Sequence, residues 1–144
     1  MIMESKIRLF LVDDDELFLK SLQVKFLNEA DFEIETFVSG EECIKNLGNK
    51  PDLIILDYHL DGIDKTAMNG IEVLDKILEL EPGIPVIMLS SQDKIEVAID
   101  CMHHRAFDYV VKSETAFVRL QKIITTVFSM KKMEKILNWY IERA

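Results

Sequence analysis

Cysteine and cationic charge are both scarce in this 144-residue chain, and each scarcity excludes something. The two cysteines, Cys43 and Cys101, offer no disulfide framework and suit a reducing compartment, so a cytoplasmic protein is expected. Seventeen Lys and Arg stand against 26 Asp and Glu, a net charge of −9. Phosphate backbones are bound by clustered cations, so direct nucleic-acid binding by this chain is not expected. No apolar run approaches the ~18 residues of a membrane span, and Met1 to Ser5 does not read as a signal peptide. Internal repeats and low-complexity segments are absent too. What is there is 49% hydrophobic and 30% charged residues, enough for one packed core and one domain.

Strand-length apolar runs alternate with helical periodicity five times. Ile7 to Val12, Leu53 to Leu56, Pro85 to Leu89 and Phe107 to Val111 are nearly continuous in apolar residues, as strands buried on both faces of a parallel sheet require. Phe32 to Val38 alternates and is expected at an edge. Between them, Phe18, Leu19, Leu22 and Phe26, then Ile71, Leu74 and Leu78, then Ile95, Ala98, Ile99 and Met102 make helical stripes. Cap-like pairs stand at three helix starts: Ser39 with Glu42, Asn69 with Glu72, and Asp93 with Glu96. A last helix runs through Phe117, Leu120, Ile124 and Val127. This βα alternation predicts an α/β fold, a doubly wound five-stranded parallel sheet with a C-terminal helix. Ligands in such sheets bind at the carboxyl ends of the strands.

Those ends carry chemistry. The first strand finishes in Asp13, Asp14 and Asp15, the third in Asp57, the fourth in Ser90 and Ser91, the fifth in Lys112. Carboxylates 4 Å apart repel by up to ~4 kcal/mol at an effective dielectric near 20, so a divalent cation is expected among them. Oxygen-only donors suit Mg²⁺. A carboxylate beside Mg²⁺ is a fit phosphoryl acceptor, and an ammonium and a hydroxyl stabilise the oxygens of the transferring group. The set reads as a Mg²⁺-assisted phosphoryl-transfer site forming an aspartyl phosphate. Asp15 reads as a helix-start residue.

Leu11-Val12-Asp13-Asp14-Asp15, Asp52 to Asp57, Pro85 to Ser91 and Asp108 to Lys112 together resemble a two-component response-regulator receiver domain, over roughly residues 6 to 128. The resemblance implies a flavodoxin-like strand order 2-1-3-4-5 and a phosphorylation-activated switch in a phosphorelay. It implies Asp57 as phospho-acceptor, assisted by Ser90 and Lys112. For the metal it implies Asp13, Asp14, Asp57 and the backbone carbonyl of His59. Ser90 and Tyr109 match the switch pair, with plain core packing the other use of Tyr109. His59 and Gln92 occupy positions that tune how long the phosphoryl group survives. The partners implied are a histidine kinase or histidine phosphotransfer protein and a downstream effector protein or domain. No enzymatic activity is implied beyond the chain's own phosphorylation and dephosphorylation.

Three departures stand out. Gly70 follows Asp57 at a distance that leaves about five extra residues within 59–69, and Asp61 replaces a common proline. Lys112 is followed by Ser113 where the family has proline after a cis bond. A cis peptide before serine costs ~2.5–4 kcal/mol, so its isomer stays open. Arg105 replaces a glycine at the end of the fourth helix.

Residues 129–144 follow the receiver-like unit as a helical extension or linker. Ile123, Met130 and Leu137 recur at seven, as do Thr126, Met133 and Tyr140, a two-heptad pattern that also fits a dimerising helix and a homodimer. Cys101, His103 and His104 lack partners at zinc-ligand spacing. The rivals are a haloacid-dehalogenase-type phosphatase built on Asp13, Asp15, Ser90 and Lys112, which leaves Asp57 without a task, and a receiver-shaped adaptor that is not phosphorylated.

Overall fold

Strands that are apolar on both faces need helices on both faces, and the chain supplies them. In a computed structural model, which describes residues 6–28, 31–91 and 93–143, five strands form one parallel sheet. They are β1 (Ile7–Val12), β2 (Phe32–Phe37), β3 (Leu53–Asp57), β4 (Val86–Ser90) and β5 (Asp108–Val111), in spatial order β2-β1-β3-β4-β5. The helices are α1 (Glu16–Leu27), α2 (Gly40–Lys45), α3 (Gly70–Leu80), α4 (Ile95–His103) and α5 (Ala116–Arg143). A 3₁₀ turn, Leu47–Asn49, follows α2. Fold class and strand order are those expected.

The two-residue period of a strand divides the core. Leu9 and Leu11, Leu53 and Ile55, Ile87 and Leu89 point to the face covered by α1 and α5, where Leu22, Phe26, Leu120 and Ile124 meet them. Phe10 and Val12, Ile54 and Leu56, Val86 and Met88 point to the other face, against Val73, Leu74 and Ile77 of α3. β2 lies at an edge, and its Glu33 and Glu35 face solvent, as its alternation implied.

Helix starts follow local hydrogen bonding. Asp15 accepts from the N–H groups of Leu17 and Phe18 and caps α1, and Ser39 accepts from Glu42 N–H. Asn69 and Glu72 form a reciprocal capping box. The fourth helix departs from expectation. Its N-cap is Lys94, without a side-chain cap, because Lys94 O already accepts from Val97 and Ala98 N–H and leaves Asp93 one residue too early. At the other end of α4, Arg105 takes the left-handed conformation (φ 70°) that a glycine adopts freely. Ala106 N–H then closes on the Cys101 carbonyl at 3.0 Å.

α5 is one unbroken helix of 28 residues. Its last buried residue is Val127, and residues 132–143 are all exposed. Lys131 Nζ donates to the Asp52 carbonyl at 3.1 Å, so the helix stays against the sheet to that point. Among the described residues no helix is long and apolar enough to cross a membrane. Within them there is also no cis peptide bond, so Lys112–Ser113 is trans.

Candidate functional site: an acidic pocket at the strand ends

Sheet register assembles the site. Val12 pairs with Leu56 and Asp57 with Leu89, so Asp13 and Asp57 emerge side by side at the carboxyl edge. Ser90 pairs with Val111, which sets Lys112 next to it, and Lys112 N–H donates to the Ser90 carbonyl at 2.8 Å. Asp13 and Asp57 are buried, Ser90 fully so, and Asp14 is half-buried.

Each carboxylate is held from the backbone. Asp13 Oδ1 accepts from Asp15 N–H at 2.9 Å and Asp57 Oδ1 from His59 N–H at 3.3 Å. Asp14 Oδ2 accepts from Ile63 N–H at 3.3 Å. Lys112 Nζ reaches Asp13 Oδ2 at 2.7 Å and Asp57 Oδ1 at 3.5 Å. Its ammonium lies 4.5 Å from the centre of the Phe18 ring, a cation–π contact.

Burial, and after it the neighbouring Asp13 charge, pushes the Asp57 carboxyl up to about 7, although Lys112 works the other way. Burial also works against the Lys112 ammonium, but the Asp13 and Asp57 carboxylates outweigh it and raise its pKa. Two carboxylates and one ammonium therefore share the pocket with a negative surplus. Oxygens of Asp13, Asp14 and Asp57 lie within 4.8 Å of one another. An octahedral Mg²⁺ with ~2.0–2.1 Å bonds sets its ligands roughly 2.9–4.2 Å apart, so a small contraction fits the donor set to that ion. A Cβ placed on Gly62 would lie 3.3 Å from Asp14 Oδ2 and 3.6 Å from the His59 carbonyl.

Tyr109 is half-buried, and its phenol hydrogen-bonds the Ser90 side chain, joining the two residues named as a switch pair. Gly70 opens α3 directly behind Asp57. A Cβ there would meet the Asp57 carbonyl oxygen at 2.5 Å and Tyr58 Cα at 2.6 Å, a close approach that only glycine allows. Gln92 lies outside the described residues. The Nε2 of His59 is buried without a hydrogen-bond partner.

Sequence reasoning missed two participants. Phe18 read as one member of an apolar stripe, yet it also forms a wall of the lysine's cage. Ile63 N–H contacts Asp14 through the extra loop residues, and no sequence signal marks a backbone amide for that task. Asp15 caps α1 and is not one of the three acids that converge, so the Asp13-x-Asp15 pair a phosphatase needs is not assembled. Cys101 is buried, and His104 bonds Asp75 at 2.8 Å. Among the described residues, the only group that could hold a metal is Asp13, Asp14 and Asp57.

Comparison with known proteins agrees with this geometry. The family described as response regulator receiver domain matches residues 9–125. The regulatory protein LuxO of Vibrio cholerae is 29% identical over 126 residues, covering 87% of this chain and 26% of that protein. A protein-glutamate methylesterase/protein-glutamine glutaminase of Bacillus subtilis is 39% identical over 108 residues, covering 71% of this chain and 28% of that protein. The chain thus spans little more than a quarter of the length of these relatives. A CheY-like receiver domain protein from Methanospirillum hungatei superposes with a TM-score of 0.76 at 26% identity, covering 90% of this chain and 99% of that one. A structure described as a CheX-CheY-BeF3-Mg complex from Borrelia burgdorferi gives a TM-score of 0.72 at 28% identity, covering 85% and 90%.

Proposed function

The chain belongs to the response-regulator receiver-domain family, and on that premise we propose that it is a phosphorylation-activated switch whose phospho-acceptor is Asp57. One observation carries the reading. Asp13, Asp14 and Asp57 converge within 4.8 Å beside a lysine that contacts two of them, a charge arrangement suited to binding a cation and a phosphoryl group together.

The residues divide the work. Asp57, once ionised, attacks phosphorus: its Oδ–P bond forms as the N–P bond of a phosphohistidine donor breaks, and the imidazole leaves. Asp13, Asp14, Asp57 and the His59 carbonyl would hold Mg²⁺, which when bound would supply positive charge favouring the ionised Asp57 and neutralising phosphoryl oxygens. Lys112 and Ser90 bind the remaining phosphoryl oxygens. Ser90 bonded to phosphoryl oxygen is drawn away from Tyr109, which couples the chemistry to the β4–β5 surface where a partner docks. The Mg²⁺ complex of the Borrelia relative supports the metal assignment. Donors are a histidine kinase or a histidine phosphotransfer protein, and the recipient of the signal is an effector protein or domain. The loop 59–69, with His59 and Gln92, sets how quickly the acyl phosphate hydrolyses. Residues 129–143 extend the receiver as a helix toward that output.

The test is direct. Incubation with Mg²⁺ and acetyl phosphate places an acyl phosphate on Asp57, located by mass spectrometry and lost in Asp57→Asn. A label on Asp13 instead supports the phosphatase reading. No label, under conditions that modify a control receiver, supports an adaptor.

A further inference from the structure

Helix α5 outlasts the sheet it packs against, and the overhang walls a cleft. Its last buried residue is Val127, and Met130, Lys131 and Glu134 carry it past the amino ends of β4 and β5. With the α3–β4 turn and the end of α4 they enclose about 300 Å³. That volume stands at the lower end of the range of small-molecule sites. Val86 begins β4 and Ser90 ends it, so the cleft and the acidic pocket lie at opposite ends of one strand. Four residue steps separate them by roughly 13 Å.

The lining is mostly apolar. Leu78, Val86 and Val127 are its buried floor, while Phe107 and Met130 border it and are 37% and 56% exposed. An apolar body seated there removes both from water.

The polar groups are few. Arg105 from the end of α4 and Lys131 from α5 line the cleft with Glu134, two cations and one acid, a surplus of one positive charge. Lys131 commits one of its three donors to the Asp52 carbonyl and keeps two. Among the described residues the Arg105 side chain has no ion pair or hydrogen bond. Arg105 also holds the left-handed backbone, φ 70°, that glycine adopts freely. Backbone strain of this kind persists where the side chain has a task, and an unpaired guanidinium lining an apolar cleft has an evident one.

We infer that this cleft binds a small amphipathic monoanion, a carboxylate carried on an apolar body of roughly eight carbons, a length suited to its volume. The guanidinium fork takes a carboxylate through two parallel N–H···O bonds, and the body covers Phe107 and Met130. A dianion such as phosphate exceeds the single surplus charge and has no body to cover them. A cationic amphiphile is opposed by Arg105 and Lys131 together. The site is separate from Asp57 and independent of phosphoryl transfer. Its occupant bridges the end of α4, the α3–β4 turn and the overhang of α5, and so braces the helix where it leaves the receiver.

Titration of the isotope-labelled whole chain with sodium octanoate, followed through its amide resonances, is expected to give saturable shifts at Gly83, Phe107 and Lys131. The dissociation constant should be on the order of 0.1–1 mM, as a ligand of about ten heavy atoms allows. Octan-1-ol, with the same body and no charge, should bind roughly fivefold more weakly or worse. Inorganic phosphate should not saturate the same amides. Arg105→Gly should weaken octanoate binding by roughly fivefold or more while keeping the dispersed spectrum of the folded chain. Glu134→Gln, at an exposed position, should tighten it about twofold. No saturable shift, shifts that spare the cleft, or an Arg105→Gly variant that binds as wild type does overturns the inference. So does octanol matching octanoate, phosphate saturating the same amides, or a looser complex in Glu134→Gln.

Discussion

Lys112 Nζ stands 2.7 Å from Asp13 Oδ2, nearer than its 3.5 Å approach to Asp57, so the lysine is principally the partner of Asp13. On the proposed function, a phosphoryl group on Asp57 would place new negative charge there and re-aim the lysine. Lys112→Met removes the countercharge from two buried carboxylates, and breaking a buried pair in this way costs about 3 kcal/mol. The variant should be less stable than wild type in EDTA, and Mg²⁺ should recover more stability for it than for wild type. Urea unfolding with and without Mg²⁺ reads both. Equal Mg²⁺ gains in the two proteins would remove the lysine from the pocket's charge balance.

The Asp57 carboxyl, raised to about 7 against an ordinary 3.8, makes the metal-free fold sensitive to pH in a definite direction. Between those values the folded chain holds a proton that the unfolded chain releases, so stability falls as pH rises through the window. Above about 7 the loss is complete. Asp57→Asn keeps the shape without the charge. In EDTA it should exceed wild type by about 4 kcal/mol at pH 8, and the gap should close toward pH 4. Denaturant midpoints taken across that range test it, and a gap that widens on acidification contradicts it.

Ile63 N–H on Asp14 Oδ2 ties the extra loop to the acidic pocket. A loop shortened by five residues between His59 and Asn69 removes that donor. The carboxylate then meets a cation without first giving up a hydrogen bond of about 1 kcal/mol, so Mg²⁺ should bind several-fold more tightly. Calorimetric titration measures this, and unchanged or weaker binding shows that the amide does not compete.

Arg105 ends α4 at φ 70°, where a side chain costs roughly 1 kcal/mol relative to glycine. Arg105→Gly should stabilise the chain by about 0.5–1 kcal/mol, part of the gain being offset by the freer unfolded chain. Thermal unfolding should rise by a few degrees. A lower midpoint would mean that the arginine side chain contributes more than its backbone costs.

The sequence by itself determined the layered α/β architecture, because runs such as Leu53 to Leu56 can only be buried on both faces. It also placed the acids, Ser90 and Lys112 at strand ends, where a parallel sheet collects its ligands. Family resemblance then supplied the strand order and the residue roles. Asp15 and Asn69 were legible as caps because capping acts within three residues. What only the tertiary structure decided was non-local or a matter of one residue. Phe18 under Lys112 joins a helix to a strand end some ninety residues away, and no pattern in either segment encodes the meeting. Ile63 on Asp14 is a backbone donor, and every residue but proline carries one. The start of α4 at Ile95, not one residue earlier, was settled by which carbonyl closed the first turn. Periodicity locates a helix to within a residue or two, whereas hydrogen bonds choose its first residue.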